Sequence, residues 1–171
     1  MKKGVGEMAF TEYITGVNDE YAKPGFVPYH WIKNITAPWT PFTKKLCDCR
    51  VAMVGGGGIS LKSQKPYNPM SLNDLSYREI PGDAKAEELI VSSAYIRHED
   101  TDRDINNLFP IELLQEMTTD GYIGDVSPVH FICGIGRILE PYLGVFEDKV
   151  VPEIVDKLKA SKVDVLLGCG G

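Results

Sequence analysis

Four cysteines and several glycine runs hold most of the chemistry that this sequence could perform. Gly168-Cys169-Gly170-Gly171 places a thiol among glycines, directly after the apolar run Val163-Asp164-Val165-Leu166-Leu167. Such a loop exposes backbone N–H groups that can form an anion nest and lower the pKa of a thiol held there. Cys169, Gly170 and Gly171 are therefore the first candidates for a reactive site. Cys133 stands in the matching place on another apolar run, Val129-His130-Phe131-Ile132-Cys133, just before Gly134. His130 shares that run. A lone histidine on a strand is more often structural, yet it joins Cys133 as a candidate for contact with a substrate or partner. Cys47-Asp48-Cys49 is spaced too closely for a zinc knuckle and has no second pair.

The densest polar stretch is Arg97-His98-Glu99-Asp100-Thr101-Asp102-Arg103-Asp104-Ile105-Asn106-Asn107. Its histidine and carboxylates have the donor types of a zinc or hard-metal site, but two arginines lie inside it and no calcium-loop spacing fits. A solvated loop with its carboxylates paired to Arg97 and Arg103 accounts for the composition, with a substrate- or partner-contacting loop as the other reading. Asp104 and Asn106 are its candidate contacts. No metal is expected. Arg78, in Ser76-Tyr77-Arg78-Glu79-Ile80-Pro81, is a further candidate contact.

These groups need elements to hold them. Arg50-Val51-Ala52-Met53-Val54 reads as a strand running into Gly55-Gly56-Gly57-Gly58. A strand followed by glycines suggests a phosphate cradle, but no G-x-x-x-x-G-K-[ST] is present and no acidic residue closes a second strand. A tight turn at the sheet edge is the plainer reading. Further strands are expected over 76–81, 89–95, 129–133 and 163–167. A helix is expected after Phe109-Pro110, with Ile111, Leu114 and Met117 on one face and Asp120-Gly121 closing it. The last helix runs from about 143 or 145 to 160, with a break or late start near Pro152. Alternating strands and helices predict a three-layer, largely parallel, Rossmann-like α/β fold over 41–171. In such sheets the working crevice lies beyond the carboxyl ends of the strands. Residues 1–40 carry Tyr13, Tyr21, Phe26, Tyr29, Trp31 and Trp39 among Pro24, Pro28 and Pro38 without a sustained period, which predicts an extended arm.

The 171 residues allow one domain with an extension, and the 43% apolar and 25% charged fractions are those of globular proteins. A net charge of -6 argues against nonspecific nucleic-acid binding and against docking on an anionic membrane. No stretch is long and apolar enough to span a bilayer, and no apolar segment follows Met1-Lys2-Lys3-Gly4, so a cytoplasmic protein with reduced cysteines is expected.

Several ordered stretches resemble one family. They are Pro38-Trp39-Thr40-Pro41, the strand 51–54 with its glycines, and Tyr77-Arg78-Glu79-Ile80-Pro81-Gly82-Asp83. They continue with Asp102-Arg103-Asp104-Ile105-Asn106-Asn107-Leu108-Phe109-Pro110, Gly121-Tyr122-Ile123-Gly124, Pro128-Val129-His130 and Val163-Asp164. From Pro38 to Gly171 the chain is similar to the selenoprotein B family of glycine, betaine, sarcosine and D-proline reductases, and within it most of all to the D-proline branch. Asn107 stands where many members have a cysteine.

The resemblance implies an oxidoreductase subunit that cleaves a C–N bond reductively, with dithiol as electron donor. It implies a small amino substrate, a pyruvoyl-bearing partner subunit acting as electron sink, and a homo- or hetero-oligomer. It implies no cofactor within these residues. A selenocysteine would fall just after Gly171, so that the sequence would be cut at the selenocysteine position and the α/β domain incomplete there. Cys169 would then resolve the selenium adduct or stand in for the selenol. Two other readings remain open. One is a catalytically inactive scaffold. The other is a racemase-like enzyme using Cys133 and Cys169 as paired acid and base across one cleft.

Overall fold

The computed structural model describes residues 15–19, 22, 35, 36, 40–94, 98–134, 138, 139 and 141–169. The chain divides into two units, Met1–Phe42 and Thr43–Gly171. In the first, residues 15–19 are helical. The expected extended arm over 1–40 falls mostly outside the described residues.

In the second unit the strands are β1 (Arg50–Gly55), β2 (Ile59–Leu61), β3 (Tyr77–Pro81), β4 (Leu89–Val91), β5 (Asp125–Val126), β6 (Val129–Cys133) and β7 (Val165–Cys169). The helices are α1 (His98–Thr101), α2 (Ile111–Thr119), α3 (Tyr142–Val145) and α4 (Val151–Ala160). β1 is central rather than at an edge. β7 runs parallel to it along its whole length, from Val51 opposite Val165 to Gly55 opposite Cys169. On its other side lie β5 and then β6, both parallel, and β3 pairs antiparallel with β6. The sheet is mixed, with mostly parallel strands. β2 and β4 form a separate antiparallel pair, and the strand expected over 89–95 is the shorter Leu89–Val91.

Val51, Ala52 and Met53 are all buried, as a continuous apolar run in a strand covered on both faces should be. Alternate residues of the sheet enter two cores. Val51, Met53, Ile80 and Ile132 pack with Ile111 and Leu114 of α2. Ala52 and Phe131 pack with Ile154 and Leu158 of α4. The pleat alone produces that division.

α3 does not pass directly into α4. Phe146–Val150 joins them as a π-helical turn. Pro152, in the first turn of α4, has no N–H to give to residue 148 and its ring crowds that carbonyl. The widened turn accommodates both and is the break expected there.

Candidate functional site

The carboxyl ends of β1, β6 and β7 come together at one edge of the sheet. Arg78 is opposite Ile132, Ile132 opposite Gly55, and Gly55 opposite Cys169. Residues directly opposite in a sheet share a face, so these four form one row across four strands. Glycine is required within it. A Cβ at Gly55 would lie 2.8 Å from the Cys169 carbonyl oxygen and 3.2 Å from the Cys169 Cβ. The Gly56 N–H donates to that same carbonyl at 3.3 Å.

The Cys169 thiol is partly buried against the core that holds Ile132 and Met53. Burial pushes its pKa up, opposite in direction to the lowering expected of an anion nest. Gly170 and Gly171 lie outside the described residues. Cys133 also has its pKa raised by burial, but on the other face: it is opposite Tyr77 and packs with Phe131 against α4. Cys133 follows Ile132, and Ile132 is in the row with Cys169. The pleat therefore points the two sulfurs to opposite sides of the sheet. An acid–base pair across one cleft needs them on the same side, so the racemase-like reading lacks its geometry.

His130 is fully buried, and its role is visible in the backbone around it. Between β5 and β6, Ser127 and Pro128 interrupt the ladder: Val51 pairs with Val126, but Val54 pairs with Phe131. The Met53 N–H facing that interruption donates to His130 Nδ1 at 2.9 Å. The imidazole thus completes the strand where the backbone leaves a gap. Nδ1 as acceptor puts the ring proton on Nε2, which is buried without a partner. Burial draws the pKa down to about 4, and the edge of the ring meets Phe109 with centroids 5.8 Å apart.

Arg78 is held by its surroundings. Its guanidinium lies 4.1 Å over the Tyr67 ring and donates to the carbonyls of Lys65 and Tyr77 and to Ser76 Oγ. Tyr67 in turn donates its hydroxyl to the Ile132 carbonyl at 2.8 Å. Burial pushes the Tyr67 phenol up, against the opposing pull of the Arg78 charge.

Asp104 and Asn106 sit elsewhere. Asp104 Oδ1 accepts from the Asn106 backbone N–H at 2.9 Å and from its Nδ2 at 3.0 Å. The Asn106 amide also exchanges hydrogen bonds with Glu112, its Nδ2 donating to Oε2 and its Oδ1 accepting from the backbone N–H. The pair fastens the 101–107 loop to the first turn of α2 beside a cleft of about 570 Å³, where Lys62 and Arg103 face Asp102, Asp104 and Glu112. None of Arg78, His130, Cys133 and Cys169 lines that cleft. In the same stretch His98 engages the Ser93 carbonyl and Asp102. Among the described residues no three His, Cys, Asp or Glu side chains are gathered as a metal would need.

One cluster escaped sequence reasoning. Lys157 of α4 donates to the Tyr77 hydroxyl at 2.7 Å and to Glu79, while the Tyr77 hydroxyl donates to Glu153. Its signal was present in two spacings: Tyr77 and Glu79 share a strand face, and Glu153 and Lys157 are one helical turn apart. Only packing brings the two pairs together.

The fold and this edge define a class: an α/β domain that gathers a thiol, glycines and an arginine at the carboxyl ends of its parallel strands, where such sheets bind small molecules. The chain is similar to the D-proline reductase subunit gamma of Acetoanaerobium sticklandii, at 36% identity over 141 residues, covering 80% of this chain and 55% of that protein. It therefore spans about half the length of the curated relative it matches, and the likeness supports the family of that reductase subunit. No family model matches the chain, and no solved structure matches it. Among the described residues no helix is long and apolar enough to cross a membrane.

Proposed function

We propose that this chain is a subunit of an amino-substrate reductase of the D-proline type, working in the cytoplasm with a second, pyruvoyl-bearing subunit. The observation that carries the reading is the extended likeness to the gamma subunit of such an enzyme. The position of Cys169 at the carboxyl end of a parallel strand agrees with it. The reaction is reductive cleavage of a C–N bond, in which a dithiol gives up two electrons and becomes a disulfide. The chemistry supplied from outside these residues is an electron sink on the partner and, in the position following Gly171, a selenol that is ionised at neutral pH.

The residues of this chain would position that chemistry. Gly55 lets the end of β7 close onto β1, and Cys169 holds a thiol a few residues before the proposed selenol as its resolving group. Arg78 supplies a fixed positive charge on the same face as Cys169, suited to a substrate carboxylate. In the complete protein the sheet would be the middle layer of a Rossmann-like, three-layer domain, with residues 1–40 as an extended arm.

The test is reconstitution of the complete gene product with its pyruvoyl-bearing partner. Dithiol oxidation is then followed with D-proline, glycine, betaine or sarcosine, and selenium is measured by mass spectrometry. Turnover with one of them, lost on Cys169→Ser, is the expected result. Full turnover by the Ser variant would remove Cys169 from the reaction. A selenium-free protein, inactive on all four compounds, would favour the scaffold reading.

A further inference from the structure

Arg78 carries a half-buried charge that no carboxylate among the described residues neutralises, whereas Lys44, Arg50 and Lys157 each have one. A partly desolvated cation without a counter-ion is costly. The protein nevertheless fixes it in one orientation. Nε donates to the Lys65 carbonyl at 3.1 Å, and Nη1 donates to Ser76 Oγ at 3.2 Å and to the Tyr77 carbonyl at 3.1 Å. A guanidinium has five N–H groups, so the two on Nη2 have no acceptor among the described residues. One face of the group is taken by the Tyr67 ring, 4.1 Å from Cζ to centroid. Tyr67 is only 3% exposed, and its hydroxyl donates to the Ile132 carbonyl. The ring that braces Arg78 is therefore itself tied to β6, the next strand in the row that ends at Cys169.

We propose that the Nη2 corner of Arg78 is the subsite for the carboxylate of the ligand, and that Tyr67 is the residue that positions it. The two remaining N–H groups lie in the guanidinium plane, where a planar carboxylate meets them edge-on. The single positive charge matches a monoanion. A phosphate dianion would call for further donors, such as a helix N-terminus or a second cation. The groups that touch Arg78 are instead two carbonyls, a hydroxyl and the face of a ring. Tyr67 acts at one remove: its hydroxyl sets the ring, and the ring sets the guanidinium. The inference deepens the proposed reading and rests on it for the bearer of the carboxylate, a small amino acid. An amine of the same shape without the carboxylate forfeits this contact, so the subsite makes the carboxyl group a requirement for binding.

Nuclear magnetic resonance titration of the chain at constant ionic strength tests this without turnover. D-Proline and acetate should shift the Arg78 side-chain N–H signals and the Tyr77 and Ile132 amides saturably, and pyrrolidine should not. Arg78→Met, followed at those amides, should weaken D-proline binding by about tenfold or more, as loss of a charged hydrogen bond does. Tyr67→Phe keeps the ring but releases it from Ile132, and should weaken D-proline by about two- to tenfold. It should also move the Arg78 Nε–H signal before any ligand is added, which a purely stabilising tyrosine would not do. No saturable shift with D-proline and acetate would overturn the proposal, as would an equal response to pyrrolidine or unchanged binding in Arg78→Met. Inorganic phosphate binding more tightly than acetate would overturn the carboxylate assignment. Parent-like binding and Arg78 signals in Tyr67→Phe would overturn the role of Tyr67. The reductase reading fails separately, by absence of turnover on all four amino compounds in the reconstituted enzyme.

Discussion

Gly55 and Cys169 meet so closely that the first has no room for a side chain. A Cβ at Gly55 would be 2.8 Å from the Cys169 carbonyl oxygen, an atom of the β7 backbone that cannot swing aside. Gly55→Ala should therefore push the end of β7 from β1 and lower stability by about 1–3 kcal/mol, the usual range for overpacking. Urea unfolding of the variant and the parent chain measures this. An unchanged midpoint would mean that the two strands do not close at this row.

The second expectation concerns His130. Its pKa is drawn down to about 4 by burial, against 6.5 for a free histidine. Between those values the unfolded chain holds a proton that the folded chain lacks. The stabilisation is thus complete above pH 6.5, shrinks as pH falls, and is lost by about pH 4. A difference of that size is worth about 3 kcal/mol. His130→Leu removes the acceptor of the Met53 N–H and should cost about 1–3 kcal/mol at neutral pH. From pH 6.5 to pH 4 the parent should lose its advantage over the variant, the difference closing or reversing in sign. A constant difference across that range would show that His130 does not titrate in this way.

The thiols should separate by reactivity. Cys47 is exposed, Cys133 and Cys169 are partly buried with raised pKa values, and Cys49 is fully buried. Timed iodoacetamide labelling near pH 8, read by peptide mass spectrometry, should modify Cys47 first and Cys49 only on unfolding. Mild oxidation should yield no Cys133–Cys169 disulfide, because the two sulfurs lie on opposite faces of the sheet. Fastest labelling at Cys169 would restore the activated thiol that its glycine loop suggests.

Lys157 is a tie between α4 and β3, with its side chain 39% exposed. Lys157→Met should leave Tyr77, Glu79 and Glu153 without their shared donor yet cost no more than about 1 kcal/mol, since solvent screens such pairs. The loss should shrink further at molar salt. A loss of several kcal/mol, independent of salt, would mean that packing of the lysine stem rather than its charge holds the helix.

Much of this was legible from residue order. Val51 to Val54 is apolar with β-branched residues and lies in the central strand; Ile111, Leu114 and Met117 recur at helical spacing and belong to α2; Pro152 marks the disturbed start of α4. Each of these depends on a period of two or 3.6 residues, or on a missing N–H, which the chain carries locally. The family resemblance was legible for the same reason, since its motifs are contiguous.

Other features depended on partners far along the chain. The sequence shows that Cys133 and Cys169 both end apolar strands; only the register, through Ile132, Gly55 and Cys169, reveals that their sulfurs point apart. The sequence shows a histidine on a strand; only the interruption at Ser127-Pro128 reveals that its imidazole completes the β1 ladder at Met53. The glycines around Cys169 suggested a lowered thiol pKa, but packing against the core raises it. Local order determined which elements form and which residues each exposes to a neighbour. Tertiary structure decided which neighbour that is, because strand register and burial are set by residues up to a hundred or more positions away.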